Sequence, residues 1–454
     1  MNPKITVIMP SLNVGKYIDK CIVSVVEQSL KDIEILCVDA GSTDGTLEIL
    51  NSYAEKDSRV KVIHSEKRSY GYQMNLGISM AQGEYISIVE TDDFIEPDML
   101  EVLYDYAKQK DADYVKGTAV QVYELDDHVL ETESIIPYNG IATLAKGEIY
   151  ETVPRETPTL FVPDNFLWNG IYKTNFMRNI SFRETPGAAF QDVSVLFRII
   201  STAKSAVYIN KKVYYYRQDN MGASSYNKKS MGYTEDEYEY IIQNYLEGVS
   251  SGWKKIAYKK MILLMLNRFD VMASSGSYWD EALEAIEKIK EKIKFAFDEK
   301  ILCGRDFEEN QYYRLRLLFV DSMQSHEILS GFRQDRAEEI VEMMRFLDGQ
   351  EAIVFGSGPI GKYVTDLLRI HYGCKIKAYW DNAEKKHGQI KDGIPICKPE
   401  CAKEGDKIIL AVRARHRSAI MKQLLELGYK ESDIYVCETE HMDGRLYWPN
   451  VFMK

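Results

Sequence analysis

The sequence predicts an α/β protein: two units with mostly parallel sheets, separated by a helical segment. Three observations carry this reading. Between residues 4 and 116, short β-branched runs alternate with amphipathic helical patterns. From about Met231 to Asp348 the apolar spacing becomes that of long helices. Near Gln350 the alternation of strand, turn and helix begins again. The expected domains are therefore residues 1–230, 231–348 and 349–445, in keeping with a chain of 454 residues that is too long for one ordinary core.

The first elements follow in order. Ile5–Met9 is a strand stopped by Pro10, and Tyr17, Ile18, Cys21, Ile22, Val25 and Val26 make one helical face. Ile33–Val38 is a second strand that ends in Asp39 and the loop Ala40-Gly41-Ser42-Thr43-Asp44-Gly45, ahead of a helix with Leu47, Ile49 and Leu50. Val60–Ile63 is a third strand, residues 74–81 a short helix, Ile86–Val89 a fourth strand, and Asp98–Lys110 a helix. In such sheets ligands sit at the carboxyl ends of the strands. Three of those ends are polar here: Pro10-Ser11-Leu12-Asn13, Asp39 with its loop, and Glu90-Thr91-Asp92-Asp93. Adjacent carboxylates repel one another unless a cation lies beside them, and a hard divalent cation prefers oxygen ligands. Asp92 and Asp93 also fit a plain turn, with Asp98 capping the next helix.

Composition limits the alternatives. A net charge of −12 argues against nucleic acid as the main partner, and 45% hydrophobic with 28% charged residues is ordinary for a soluble globular chain. No apolar run is long enough to span a bilayer, and the start of the chain lacks the apolar stretch of a signal peptide. Seven cysteines without CxxC spacing read as thiols in a reducing compartment, with Cys21 and Cys37 buried. The expected location is the cytoplasm, with room for peripheral association at the inner face of the membrane.

From Ile5 to about Tyr226 the chain resembles a family 2 glycosyltransferase with a GT-A fold. The motifs that carry the resemblance are Pro10-Ser11-Leu12-Asn13, Val38 to Thr46, Asn75-Leu76-Gly77 leading to Ala81–Ile86, and the Glu90-Thr91-Asp92-Asp93 cluster in the place of that family's DxD-type motif. The resemblance implies a nucleotide-sugar donor, usually a UDP-sugar, and a Mg²⁺ or Mn²⁺ ion. Donor contacts would come from Pro10, Ser11, Asn13, Asp39, Gly71, Gln73, Asn75, Asp92 and Arg217, and metal ligands from Asp92 and Asp93. Three departures stand out: Glu90 for the first Asp, Ala40 for a second acidic residue or Asn, and Gln73 where many members carry Arg. The run Ser69-Tyr70-Gly71-Tyr72-Gln73 is read as shaping the sugar pocket.

A second constellation follows. Trp168-Asn169-Gly170 precedes Glu184–Asp192, in which a Pro-Gly loop feeds Asp192 at a helix start. As a residue it is a sound N-cap; by resemblance it is the general base, with Gln191 in place of the usual Glu. Trp168 suits either sugar stacking or a core, and Arg217 either a diphosphate or the surface. The implied reaction is inverting transfer to a hydroxyl of a glycan or lipid-linked acceptor in surface polysaccharide or glycoconjugate synthesis.

The middle segment reads as a spacer suited to self-association as a homo-oligomer. Its helix from Ala282 to Phe297 carries Leu283, Ile286, Ile289 and Ile293, and Met261–Leu266 is an apolar run of core type. The last unit is Rossmann-like. Ala352–Phe355 is a strand, Gly356-Ser357-Gly358-Pro359-Ile360-Gly361 opens a helix, and the strand Ile376–Trp380 ends in Asp381. Gly356, Gly358, Gly361 and Asp381 are its nucleotide-site candidates, and Arg413, Arg415, His416 and Arg417 a basic cluster able to meet phosphate. Nucleotide binding and a structural role both fit. The wider alternatives are a bifunctional enzyme, with separate sugar chemistry in this unit, and a non-catalytic nucleotide-sugar-binding protein.

Overall fold

The computed structural model describes residues 3–124, 129–220, 227–274, 280–320, 322, 341–401, 403 and 405–437. Tyr226 and the expected end of the last domain at 445 lie outside the described residues. The chain divides into two units: Met1–Glu124 with Glu131–Phe269 and Trp279–Val320, and Leu125–Leu130 with Asp270–Tyr278 and Asp321–Lys454.

In the first unit, β1 (Ile5–Ser11) and β2 (Ile33–Asp39) are buried along their whole length, as expected of parallel strands covered on both faces. They pair in register, Ile5 with Ile33 through Ser11 with Asp39, so two of the polar strand ends stand side by side. β3 (Val60–His64) extends the sheet beyond β2, and β4 (Tyr85–Ile88) pairs with the other side of β1, all in parallel. The connecting helices are α1 (Ile18–Val26), α2 (Thr46–Lys56) and α3 (Tyr70–Met80). The full order is β3-β2-β1-β4-β9-β6-β10-β5, where β5 is Phe94–Ile95, β6 Tyr114–Glu124, β9 Gly170–Lys173 and β10 Ala206–Arg217. Of the two side strands, β7 (Val129–Ile135) pairs with β6 and β8 (Ile149–Thr152) with β10. The antiparallel β9 separates the parallel strands β1 to β4 from β6 and β10. α4 (Met99–Lys110) buries Leu100, Leu103 and Ala107 in the same core as β1 and β2.

α3 begins earlier than the expected residue 74. Ser69 caps it by accepting the Tyr72 N–H at 3.3 Å, so the Tyr-Gly-Tyr run is the helix's first turn and not a loop. After the short α5 (Thr174–Met177), α6 (Asp192–Thr202) starts at Asp192 and buries Val193, Leu196, Phe197 and Ile200.

The helical segment does not stand apart from the first sheet. α7 (Ser230–Tyr245), most of α8 (Ser251–Ser274) and α9 (Asp280–Asp298) belong to the same unit. Met261, Ile262 and Met265 are fully buried, which makes that apolar run core. The inner face of α9 is Ala282, Ala285, Ile286, Ile289, Ile293 and Ala296; Leu283, expected on it, is 40% exposed because it falls outside that stripe. Among the described residues no helix is long and apolar enough to cross a membrane. Cys21 and Cys37 are buried free thiols.

The second unit has the order β13-β14-β12-β11-β15-β16, with β11 Ala352–Phe355, β12 Ile376–Trp380, β13 Ile390–Lys391, β14 Ile394–Cys397, β15 Lys407–Leu410 and β16 Ile434–Val436. All pairs are parallel except β13 with β14. The chain leaves the central β11 for one side and returns on the other, the doubly wound arrangement expected from its motif. Helices Pro359–Tyr372 (α11) and Ala414–Glu426 (α12) follow β11 and β15; Glu309–Val320 is α10 of the first unit.

Candidate active site

The polar ends of β1 and β2 are knotted together. The Asp39 carboxylate, 1% exposed, accepts the N–H groups of Gly41 and Ser42 at 2.9 Å and the Ser42 hydroxyl at 2.5 Å. Ser42 Oγ in turn accepts the Asn13 N–H at 2.9 Å, and Asn13 Oδ1 accepts the Thr43 N–H at 2.9 Å. Asn13 holds φ 53°, the left-handed region its side chain tolerates. Asp39 therefore shapes the loop first, with three of its roughly four acceptor positions filled. The Pro10 carbonyl accepts the Thr91 hydroxyl at 2.8 Å, which ties the acidic cluster to β1.

Gln73, Asn75 and Gly71, expected at the donor, tie neighbouring segments together. Gln73 Nε2 donates to the carbonyls of Ser11 at 3.0 Å and Val38 at 2.6 Å, stapling β1 to β2 from a position 5% exposed. Ser11 itself is buried, its hydroxyl turned to the Met9 carbonyl at 3.4 Å. Asn75 exchanges two hydrogen bonds with the backbone of Phe182, both at 2.9 Å. A Cβ on Gly71 would stand 1.8 Å from the Arg183 carbonyl oxygen, and the Gly71 N–H donates to Gln191 Oε1 at 2.7 Å. Gln191 also donates to the Thr185 carbonyl at 2.8 Å. α3 is thus a bracket joining β1 and β2 to the loop that carries Asp192.

Within the acidic cluster the three carboxyl groups differ. Asp93, 2% exposed, accepts the Tyr214 hydroxyl at 2.9 Å and the Arg217 N–H at 2.7 Å, one on each oxygen. Burial, and the charge of Asp92 beside it, push it well above the usual carboxylate range. It faces inward as a bridge to β10. Asp92 is only partly buried and accepts the Asn220 amide at 2.8 Å. Glu90 accepts the Tyr70 hydroxyl at 2.8 Å, and burial raises it to about 8 against that hydrogen bond. Among the described residues no three His, Cys, Asp or Glu side chains converge on a ready-made metal cage. A partly exposed Asp92 with capacity to spare still fits a hard cation that takes one or two carboxylates and completes its shell with substrate phosphates.

Arg217 is engaged within the protein. It is 4% exposed, with its guanidinium on the Asp92 carbonyl at 2.7 Å, Glu124 at 2.6 Å and Asp219 at 3.3 Å. Those acceptors on one fork tie the guanidinium into the protein. Trp168 stacks on Tyr214 at 4.2 Å between centroids and is 5% exposed, so it is core.

Asp192 lies at the start of α6, partly buried, shortly after Phe190, whose φ of 63° is strained for an aromatic residue. Burial raises its carboxyl to about 6, opposed by its own helix-start N–H groups and by the charges of Lys260 and Lys116. Tyr70 and Glu90 feel its charge, so the base candidate and the acidic cluster share one electrostatic environment. A carboxylate titrating near 6 is suited to take a proton near neutral pH.

Sequence reasoning passes over several residues here. Tyr70 and Gln191 stand out in the sequence only as departures from a pattern. Lys116, in the fully buried part of β6, does carry a signal: a lysine inside the run Tyr114-Val115-Lys116-Gly117-Thr118-Ala119-Val120 must have a partner. Asp164, Glu237 and Lys260 have no comparable sign.

In the second unit, Gly356 has φ 115°, and a Cβ on Gly361 would stand 1.6 Å from the Gly356 carbonyl oxygen, so both glycines serve the turn. Gly358 faces open space. Asp381 accepts Ser357 Oγ at 2.5 Å, Lys386 Nζ at 2.7 Å and the Ala383 N–H at 2.9 Å. Against the cost of burial, Lys386 and these hydrogen bonds hold it down at about 2. Its carboxylate closes the turn. A cavity of about 300 Å³ is lined by Gly356 and Asp381 together with Phe355, Asn382, Val412 and His416 among others. Arg413 and Arg415 are exposed at the start of α12.

A model of glycosyl transferase family 2 matches residues 6–163. Glycosyltransferase GlyG of Streptococcus pneumoniae serotype 4 is 31% identical over 227 residues, which span 48% of this chain and 72% of GlyG. The chain belongs to glycosyltransferase family 2. Cholesterol galactosyltransferase of Borreliella burgdorferi is 30% identical over 227 residues, covering 49% of this chain and 62% of that protein. Against GlyA of the same pneumococcal strain the match is 26% over 330 residues, 64% of this chain and 46% of GlyA. The solved structure of S. aureus TarS 1–349 in complex with UDP-GlcNAc superposes with a TM-score of 0.52 at 17% identity, over 73% of this chain and 92% of that one. This family 2 chain therefore has a GT-A fold.

Proposed function

We propose that this family 2 enzyme transfers a sugar from a UDP-sugar to a hydroxyl of a glycan or lipid-linked acceptor, with inversion at the anomeric carbon. The observation that carries the reading is the common environment of Asp192 and the Glu90–Asp92 cluster. In-line displacement needs the base on the face of the sugar opposite the leaving diphosphate.

The nucleoside would rest on the loop organised by Asp39, Asn13 and Ser42, with the remaining Asp39 acceptor position open to a base N–H. The UDP-GlcNAc held by TarS, a protein of the same fold, supports the nucleotide class. A Mg²⁺ or Mn²⁺ ion bound at Asp92 would neutralise charge on the leaving diphosphate. Asp92 is preferred to Asp93 for that role because the Asp93 oxygens already serve Tyr214 and Arg217. Asp192 would accept the proton of the acceptor hydroxyl as the new glycosidic bond forms. Incubation with UDP-glucose, UDP-galactose and UDP-N-acetylglucosamine, with and without exhaustive chelation, tests this. UDP release from at least one donor, lost on chelation and restored by Mg²⁺ or Mn²⁺, is expected. Release from none, or release indifferent to chelation, rejects the donor or the metal respectively.

A further inference from the structure

The base candidate sits at the end of a loop whose two ends meet on one residue of the helical segment. Glu237, on α7, is 3% exposed. One of its oxygens accepts from Arg183 Nη1 at 3.1 Å, where the loop starts. The other accepts the Ser194 N–H at 3.3 Å, in the first turn of α6. α7 grips Arg183 twice more: Nη1 donates to the Asp236 carbonyl at 2.9 Å, and the guanidinium lies 4.9 Å from the centroid of the Tyr240 ring. Close ends and internal packing are the plan of an Ω-loop, and here the tie between the ends comes from a helix distant in sequence.

The loop needs that tie. Gly187 holds φ 68° and Phe190 φ 63°, so the turn into α6 puts an aromatic residue in the left-handed region. Such a conformation persists only where the surroundings fix it. Gln191, at the cap position, makes no side-chain hydrogen bond to the helix it precedes, because its amide is engaged by the Gly71 N–H and the Thr185 carbonyl. A cap side chain ordinarily accepts the N–H of the second or third helical residue. Ser194 is the third residue of α6, and Glu237 accepts its N–H from α7 instead. An anion there also suits the positive end of a helix. Asp192 is the first residue of the same turn.

We propose that Glu237 is a positioning residue for sugar transfer: by tying Arg183 to the first turn of α6 it closes the 183–194 loop and holds Asp192 against the acceptor hydroxyl. Its role rests on the reading of Asp192 as the base. The helical segment thereby takes a part in the chemistry, from beyond residue 163, where the family match ends.

Glu237→Gln keeps the size of the side chain but leaves one acceptor for two donors, so the clasp opens on one side. An ångström of misplacement at the reacting groups costs about a hundredfold in rate. In UDP release from whichever of UDP-glucose, UDP-galactose and UDP-N-acetylglucosamine the full chain turns over, kcat of the folded protein should fall by about that factor. UDP affinity by calorimetry should match wild type, since the Asp39 loop and Asp92 are left intact. Arg183→Met opens the other side with the carboxylate in place, and kcat should fall by the same order. Independent sites would multiply the two losses, to about ten-thousandfold. One clasp predicts that the double variant falls no further than about a hundredfold, because the second change removes a tie the first has already opened. A glutamate with a merely structural role would lower Tm and leave kcat of the folded protein at the wild-type value, and that result overturns the proposal. Multiplied losses, or a fall in kcat accompanied by loss of UDP affinity, overturn it equally. If Glu237→Gln does not fold, Arg183→Met decides alone, and wild-type kcat in that variant overturns the clasp. Wild-type turnover by Asp192→Asn would instead reject the base reading itself. An inactive Asp192→Asn beside wild-type kcat in Glu237→Gln rejects only the role of Glu237.

Discussion

Replacing Gly71 by Ala separates a ligand contact from a bracket. The added methyl would stand 1.8 Å from the Arg183 carbonyl oxygen and 3.1 Å from the Phe182 Cβ. Ordinary contact needs at least about 3.4 Å, so α3 and the 182–183 backbone must part by about 1.5 Å. Overpacking of this kind costs about 1–3 kcal/mol. The movement also strains the Gly71 to Gln191 bond at 2.7 Å and the paired Asn75 to Phe182 bonds at 2.9 Å. Each is a buried or half-buried bond of about 1 kcal/mol. Because Gln191 precedes Asp192, the displacement reaches the base, and an ångström of misplacement can cost about a hundredfold in rate. Gly71→Ala should therefore lower kcat for UDP release about a hundredfold and lower Tm by several degrees, with UDP affinity by calorimetry near wild type. Loss of UDP affinity with kcat intact would return Gly71 to the donor site and refute the bracket.

Two further outcomes follow from the same structure. Gln73→Ala leaves the Ser11 and Val38 carbonyls without their amide donor and should cost about 2–4 kcal/mol by chemical denaturation; stability within about 0.5 kcal/mol of wild type, on the scale of a surface change, would show the staple to be idle. In the second unit, Asp381 is held at about 2, below its unfolded value of about 3.9. Its contribution is fully present above about pH 4 and fades as pH falls toward 2. Acid unfolding of Lys386→Met should accordingly begin at higher pH than wild type, and identical acid transitions would contradict this.

Much of the first sheet is legible in the sequence because buried parallel strands write themselves as continuous apolar runs that end in polar turns. The strand ends bearing Asp39 and the Glu90–Asp93 cluster stand out by this pattern alone. The individual duties of residues there do not. Asp92 and Asp93 are adjacent and chemically identical, yet the turn between β4 and β5 points one toward Tyr214 and leaves the other partly exposed. Gln73, Asn75 and Arg217 match positions that suggest ligands, but their partners are backbone groups or carboxylates distant in sequence, such as Val38, Phe182 and Glu124. The sequence pattern starts helix α3 too late because its cap, Ser69, closely precedes a Gly that lowers helix propensity and that close packing requires. Lys260 escapes notice for a simpler reason: nothing in its local sequence distinguishes a buried lysine of α8 from the other lysines around it.

The central claim is that Asp192 removes the acceptor proton. Asp192→Asn keeps the size of the side chain and removes its basicity, and UDP binding can be followed by calorimetry beside turnover of the accepted UDP-sugar. The account predicts turnover lowered by a factor of about 10² or more, as for loss of a general base, with UDP affinity unchanged. Wild-type turnover by Asp192→Asn would contradict it.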